Sequence, residues 1–163
     1  MNDQPVITGA VTGQTTTDET TLSPFSGVAI SDTDFGQTET VTVTLSNAAN
    51  GVLTNLDDGT YDSGTGVYSV TGSDATVTTA VDGLVFTPTA HQVPPGGSVT
   101  TTFTIATTDT AGGAASDSTT TVTAAADNDP PVITGTTADQ RTSDNVTIQP
   151  FSDVTISDPD VGA

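Results

Sequence analysis

The side chains best equipped for chemistry in this sequence are carboxylates set at alternate positions in loops. Asp32-Thr33-Asp34-Phe35-Gly36 and Asp158-Pro159-Asp160-Val161-Gly162 both read Asp-x-Asp-x-Gly. Carboxylates spaced this way in a bent loop can converge on one hard cation, which takes six to eight oxygens at about 2.3–2.6 Å. Asp127-Asn128-Asp129-Pro130-Pro131 adds two more acids, and Asp109 and Asp3 are further candidates. Calcium suits flexible oxygen donors better than magnesium does. It also fits better than zinc, because the chain has no cysteine and a single histidine, His91. The competing reading is that an Asp beside a Gly caps its own turn through backbone hydrogen bonds.

Nothing else in the sequence assembles a reaction centre. His91 follows an expected strand with no Gly-x-Ser-x-Gly elbow anywhere in the chain, so it reads as a structural or exposed side chain. Arg141 reads as a partner for a surface acid. Tyr61 and Tyr68 bracket the turn Asp62-Ser63-Gly64-Thr65-Gly66, where packing is the better account than a sugar-stacking platform. An enzyme is not expected.

Composition narrows the partners. The formal charge is −19, from 20 acidic residues against one basic residue. Nucleic acid is excluded as a partner, because binding there depends on Lys and Arg releasing counterions from phosphates. Anionic lipid is disfavoured for the same reason, and no apolar run approaches the roughly 20 residues that span a bilayer. Without cysteine there is no disulfide framework, and without lysine there is no Lys–Asn isopeptide staple. Met1 is followed by no basic segment and no apolar core of a signal peptide.

The elements that must position the acids are strands. Thr40-Val41-Thr42-Val43-Thr44-Leu45 and Thr100-Thr101-Thr102-Phe103-Thr104-Ile105 alternate at period two, and Ser118–Thr123 does so more loosely. Further strands are expected at Val6–Gly9, Leu22–Ser31, Val52–Leu56, Gly66–Thr71 and Leu84–Thr87, with Gly- and Pro-rich turns between them. One short helix is expected near 73–81, where the cap residue Ser73 precedes Val77, Ala80 and Val81 at helical spacing. The fold class is therefore all-β, a sandwich with Greek-key connections of the immunoglobulin kind. Its core is expected to hold Val43, Leu45, Leu53, Tyr68, Val70, Leu84, Phe86, Phe103, Ile105 and Val122.

The sequence also repeats itself. Asn2-Asp3-Gln4-Pro5-Val6-Ile7-Thr8-Gly9 aligns with Asn128-Asp129-Pro130-Pro131-Val132-Ile133-Thr134-Gly135 at an offset of about 126 residues, and the match runs ungapped to the end. More than half of the aligned positions are identical. Residues 1–126 read as one complete repeat, and 127–163 as a junction plus the first strands of the next. The pattern breaks off at Gly162-Ala163, which suggests an excerpt of a longer array. With immunoglobulin-like connectivity, Asp32 and Asp34 are expected to approach Asp127 and Asp129 at one end, while Asp109 faces Asp3 at the other.

The Asn128-Asp129-Pro130-Pro131-Val132 junction, the two Asp-x-Asp-x-Gly loops and Thr108-Asp109-Thr110-Ala111-Gly112 together resemble bacterial cadherin-like repeats. These build the stalks of large secreted adhesins. The fuller linker of animal cadherins, Asp-x-Asn-Asp-Asn-x-Pro, is incomplete here. The resemblance implies Ca2+ at repeat junctions, held by Asp32, Asp34, Asp127, Asp129, Asp158 and Asp160, with Asp109 and Asp3 as further members. It implies an extracellular structural repeat, an extender or fibre subunit at a bacterial surface. The alternative is a carbohydrate- or protein-binding adhesion module, against which the few aromatic residues count. Expected partners are neighbouring repeats, or identical subunits joined head to tail by strand addition through 130–163. A chain simply cut at that point is the equal alternative.

Overall fold

Alternation of Val with Thr sets the centre of the fold, because a strand with one apolar edge must lay that edge on something dry. The computed structural model describes residues 1–162. In chain order its strands are β1 (Val6–Thr8), β2 (Gln14–Thr17), β3 (Ala29–Ser31), β4 (Glu39–Leu45), β5 (Gly51–Thr54), β6 (Thr60–Asp62) and β7 (Val67–Gly72). The helix α1 (Asp74–Asp82) follows, then β8 (Val85–Pro88), β9 (Ser98–Asp109), β10 (Ala114–Asp117), β11 (Thr121–Ala125), β12 (Val132–Thr134) and β13 (Thr155–Ser157). The architecture is an all-β sandwich with one short helix.

The larger sheet runs β2-β11-β9-β4-β7-β6, with β10 also paired to β9. Its pairs are antiparallel except β2 with β11, which is parallel. Two antiparallel pairs, β1-β3 and β5-β8, lie outside this sheet, and β12-β13 forms a third. Val41, Val43 and Leu45 of β4 and Phe103 and Ile105 of β9 bury their side chains. They share one core with Phe25, Ile30, Leu53, Phe86 and the Val77-Ala80-Val81 stripe of α1. Phe103 is the hub: Phe25 and Phe86 each meet it edge-to-face at 5.1 Å, a geometry worth about 0.5–1.5 kcal/mol beyond area burial. All ten core residues expected from the sequence are buried.

The helix forms where its cap predicts. The Ser73 side chain accepts from the Thr76 N–H, and the buried residues Val77, Ala80 and Val81 sit on one face. Leu22–Ser31 is not one strand. Leu22 makes an isolated bridge to Phe86, and the chain then turns through Pro24–Gly27, with Val28 N–H donating to the Phe25 carbonyl at 2.8 Å, before β3 begins. Pro24 offers no N–H and Gly27 takes φ +92°, so this segment cannot run extended throughout. The turn drives Phe25 into the core.

Candidate metal centre

The twelve residues of β9 separate the two ends of the first repeat, a distance of roughly 37 Å at strand rise. Ser98 pairs with Ala125 at one end, and Asp109 pairs with Glu39 at the other. Asn2 donates to Asp109 Oδ2 at 2.9 Å, and Asp3 N–H donates to Asp34 Oδ2 at 2.7 Å. Asp32 and Asp34 therefore belong to the leading end, with Asp3 and Asp109. They do not approach Asp127 and Asp129, as the immunoglobulin-like expectation had it. The loop after β3 faces the incoming chain because β3 pairs antiparallel with β1, placing Ser31 opposite Val6.

At the leading end the core-facing stripes turn from apolar to acidic. Along β4 the inward positions run Leu45, Val43, Val41, Glu39, and along β9 they run Phe103, Ile105, Thr107, Asp109. Glu39 and Asp109 are directly opposed in register and are 0% and 7% exposed. Like charges so placed repel. Thr107 donates its hydroxyl to Glu39 Oε2 at 2.8 Å, but Glu39 Oε1 and Asp32 Oδ2 are buried without any hydrogen-bond partner. Burial raises the Glu39 carboxyl above its usual value, outweighing the Thr107 bond, and Asp32, Asp74 and Asp109 push it the same way. Burial also acts to raise Asp109, but the Asn2 amide and the N–H groups of Gly113, Ala111 and Gly112 hold it below the ordinary range. The Asp-x-Asp loop is tied down by Asp32 N–H on Asp74 Oδ2 at 2.8 Å and Asp34 N–H on Asp32 Oδ1 at 2.8 Å. It borders an open cleft of about 370 Å³ lined by Asp32, Asp34, Gln37 and Asp74. The unpartnered Asp32 Oδ2 belongs to a residue that lines this cleft, among carboxylates that fit a hard cation.

The trailing end repeats half of this arrangement. Asp129 N–H donates to Asp160 Oδ2 at 2.9 Å and Asp160 N–H to Asp158 Oδ1 at 3.0 Å, as Asp3, Asp34 and Asp32 do at the leading end. The other half comes from the first repeat, and the sequence did not point to it. Asp18, 6% exposed, accepts from the N–H of His91 at 2.9 Å and of Asp127 at 3.0 Å, stapling two loops at the junction. His91 is held at φ +53°, and its Nδ1 lies 3.6 Å from Asp129 Oδ2 and 3.5 Å from Asp160 Oδ1, while Nε2 is 3.7 Å from Glu19 Oε1. The Asp129 carboxylate, with burial, raises Glu19 above its usual value, and His91 acts against them. Glu19, His91 and Asp129 offer ligand atoms all within 4.8 Å of one another, so a metal-capable group exists at this junction. Asp127 contributes its backbone N–H to Asp18.

His91 is thus neither merely exposed nor a core residue, but the meeting point of junction acids. Arg141 has no ion pair among the described residues, all of whose ion pairs involve His91. Tyr68 is fully buried and Tyr61 packs against the core, as packing residues do. Nothing in the sequence around Asp18-Glu19 marks it as a ligand loop, except that it follows a Thr run of strand type. Comparison with protein-family models, with curated proteins and with solved structures finds no match. No helix among the described residues is long and apolar enough to cross a membrane.

Proposed function

We propose that the chain is a structural repeat, an extender or fibre subunit of a bacterial cell-surface adhesin, with Ca2+ bound where successive repeats meet. The observation that carries this reading is the duplicated acid lattice. The same backbone-to-carboxylate bonds join Asp3, Asp34 and Asp32 at one end and Asp129, Asp160 and Asp158 at the other. A spacer needs identical joints at a fixed interval. In this reading Asp32, Asp34, Asp109 and Asp3, joined by Glu39, hold a cation at the leading end. Asp127, Asp129, Asp158 and Asp160 belong to the trailing joint. Ion binding would relieve repulsion that the fold otherwise bears and would stiffen the stack. The partners are further repeats of the same kind, in the same chain or in a second copy. The uncovered apolar side chains of 130–163 offer a place where strand addition would bury surface. The location is extracellular.

Thermal unfolding with and without millimolar calcium tests the metal part. A ligand that binds only the folded state must raise the midpoint, by an amount that grows with its concentration over Kd. An unchanged midpoint removes calcium and leaves the repeat architecture standing.

A further inference from the structure

The trailing junction differs from the leading end in one chemical respect: it contains an imidazole. His91 Nδ1 is buried and has no hydrogen-bond partner, and it points between two carboxylates that belong to the next repeat. Asp18 fixes the backbone under that ring by accepting from His91 N–H, and the same carboxylate anchors Asp127. The ring is therefore aimed by a buried group that is not itself a donor to the site.

We propose that this junction binds a divalent transition-metal ion of the zinc class, ligated by His91, Glu19 and Asp129 with Asp160 Oδ1 as the fourth donor. This deepens the junction-cation reading and rests on it for the idea that an ion bridges two repeats, with a zinc-class ion in place of calcium at this one joint. Calcium prefers six to eight oxygens, whereas imidazole with carboxylates suits four-coordinate zinc, whose bonds of about 2.0–2.2 Å set tetrahedral donors about 3.3–3.6 Å apart. The Nδ1-to-oxygen separations of 3.5 and 3.6 Å are already close to that value. Glu19, His91 and Asp129 lie within 4.8 Å of one another, and Glu19, an exposed side chain, must draw in to share an ion with Asp160. Asp160 Oδ2 accepts from Asp129 N–H, which orients the carboxylate and leaves Oδ1 directed at the ring. Glu19 and His91 come from the first repeat and Asp129 and Asp160 from the second, so the ion would pin one repeat to the next.

Because His91 is the one histidine in the chain, its imidazole NMR signals report this site alone. The test titrates the whole chain with Zn2+ and, separately, Ca2+, reading those signals and the heat of binding. His91→Asn keeps a residue tolerant of positive φ, and Glu19→Gln supplies a second variant with the backbone untouched. The expected result is a Zn2+ site at one ion per chain that shifts the His91 signals and weakens at least about tenfold in each variant. Zn2+ leaving the His91 signals unmoved, or binding His91→Asn as tightly as the parent, overturns the proposal. The two readings separate cleanly. Calcium stabilisation without any Zn2+ effect on His91 sinks this inference and keeps the calcium reading, and the reverse result does the opposite.

Discussion

Residues 2–36 and 128–162 are copies of one segment, identical at more than half of their positions, in two surroundings, and the contrast separates what a sequence encodes locally from what it borrows. The local details coincide. Gln14 Nε2 donates to the Val11 and Pro24 carbonyls, and Gln140 Nε2 donates to those of Thr137 and Pro150. Thr16 bonds the Thr20 carbonyl as Thr142 bonds that of Val146. β1 pairs with β3 in the same register as β12 with β13. Burial does not coincide. Phe25 is 0% exposed and Phe151 77%, and Ile30 is 3% and Ile156 70%. The strand β2 also has no counterpart at 140–143, because its partner is β11, which comes from the far end of the first repeat. Turns and short ladders are thus written into about 35 residues, while the core and the parallel edge are supplied by the ninety or so that follow.

The largest test of that contrast is truncation of the two phenylalanines. Phe25→Ala empties a site packed edge-to-face on Phe103 and is expected to cost about 3–5 kcal/mol in denaturant unfolding. Phe151→Ala is expected to stay within about 0.5 kcal/mol. Equal losses would mean that residues 130–163 are packed on something in solution, and sedimentation of the intact chain would then show whether it is a second copy.

A smaller effect comes from the turn glycines. Gly9 has φ +78° and Gly135 has φ +74°, and a Cβ at either would lie within 1.9 Å of a backbone carbonyl oxygen, that of Gly27 or of Asp153. Gly9→Ala is expected to lower global stability by about 1–3 kcal/mol. Gly135→Ala is expected to leave the main transition in place and only speed amide exchange in β12 and β13. A fall in the main transition with Gly135→Ala would show that the two segments unfold together.

The same division explains what could be read from the sequence. Val43, Phe103 and their neighbours were legible because period-two alternation depends only on the strand carrying it. The helix was legible from Ser73 and three apolar positions. The strand β2 was not, since Gln14-Thr15-Thr16-Thr17 has no apolar face and is held by pairing with residues more than a hundred positions away. The Asp-x-Asp loops were identifiable as ligand candidates, but their placement depends on the β1-β3 register, which sends them toward Asp3. Glu39 lies one residue before the Thr40–Leu45 alternation, which does not single it out. Only its register opposite Asp109 shows two buried acids facing each other across the ladder. Asp18, Glu19 and His91 meet through loops distant in sequence, and no spacing announces that.

Glu39 gives the finest test, because the second opening segment carries counterparts of Asp3, Asp32 and Asp34 but none of Glu39 or Asp109, which lie on later strands. The fold raises the Glu39 carboxyl chiefly by burial. A raised group contributes stability that is full below its unfolded pKa, about 4.3, and is lost as pH rises through the folded value. Without divalent ions, the Glu39 contribution should therefore be lost on going from pH 4 to pH 7, against the opposite trend of the lowered Asp18 and Asp109, and the difference between parent and Glu39→Gln isolates it. The variant's midpoint is expected to lie roughly 2–4 °C above the parent at pH 7 in chelator and to converge with it near pH 4. Adding calcium should reverse the order, since the parent gains a charged oxygen donor that the amide lacks. If the variant is no more stable than the parent at neutral pH in chelator, the buried charge is already neutralised within the fold. The leading end would then need no ion, and any cation requirement would belong to the trailing junction alone.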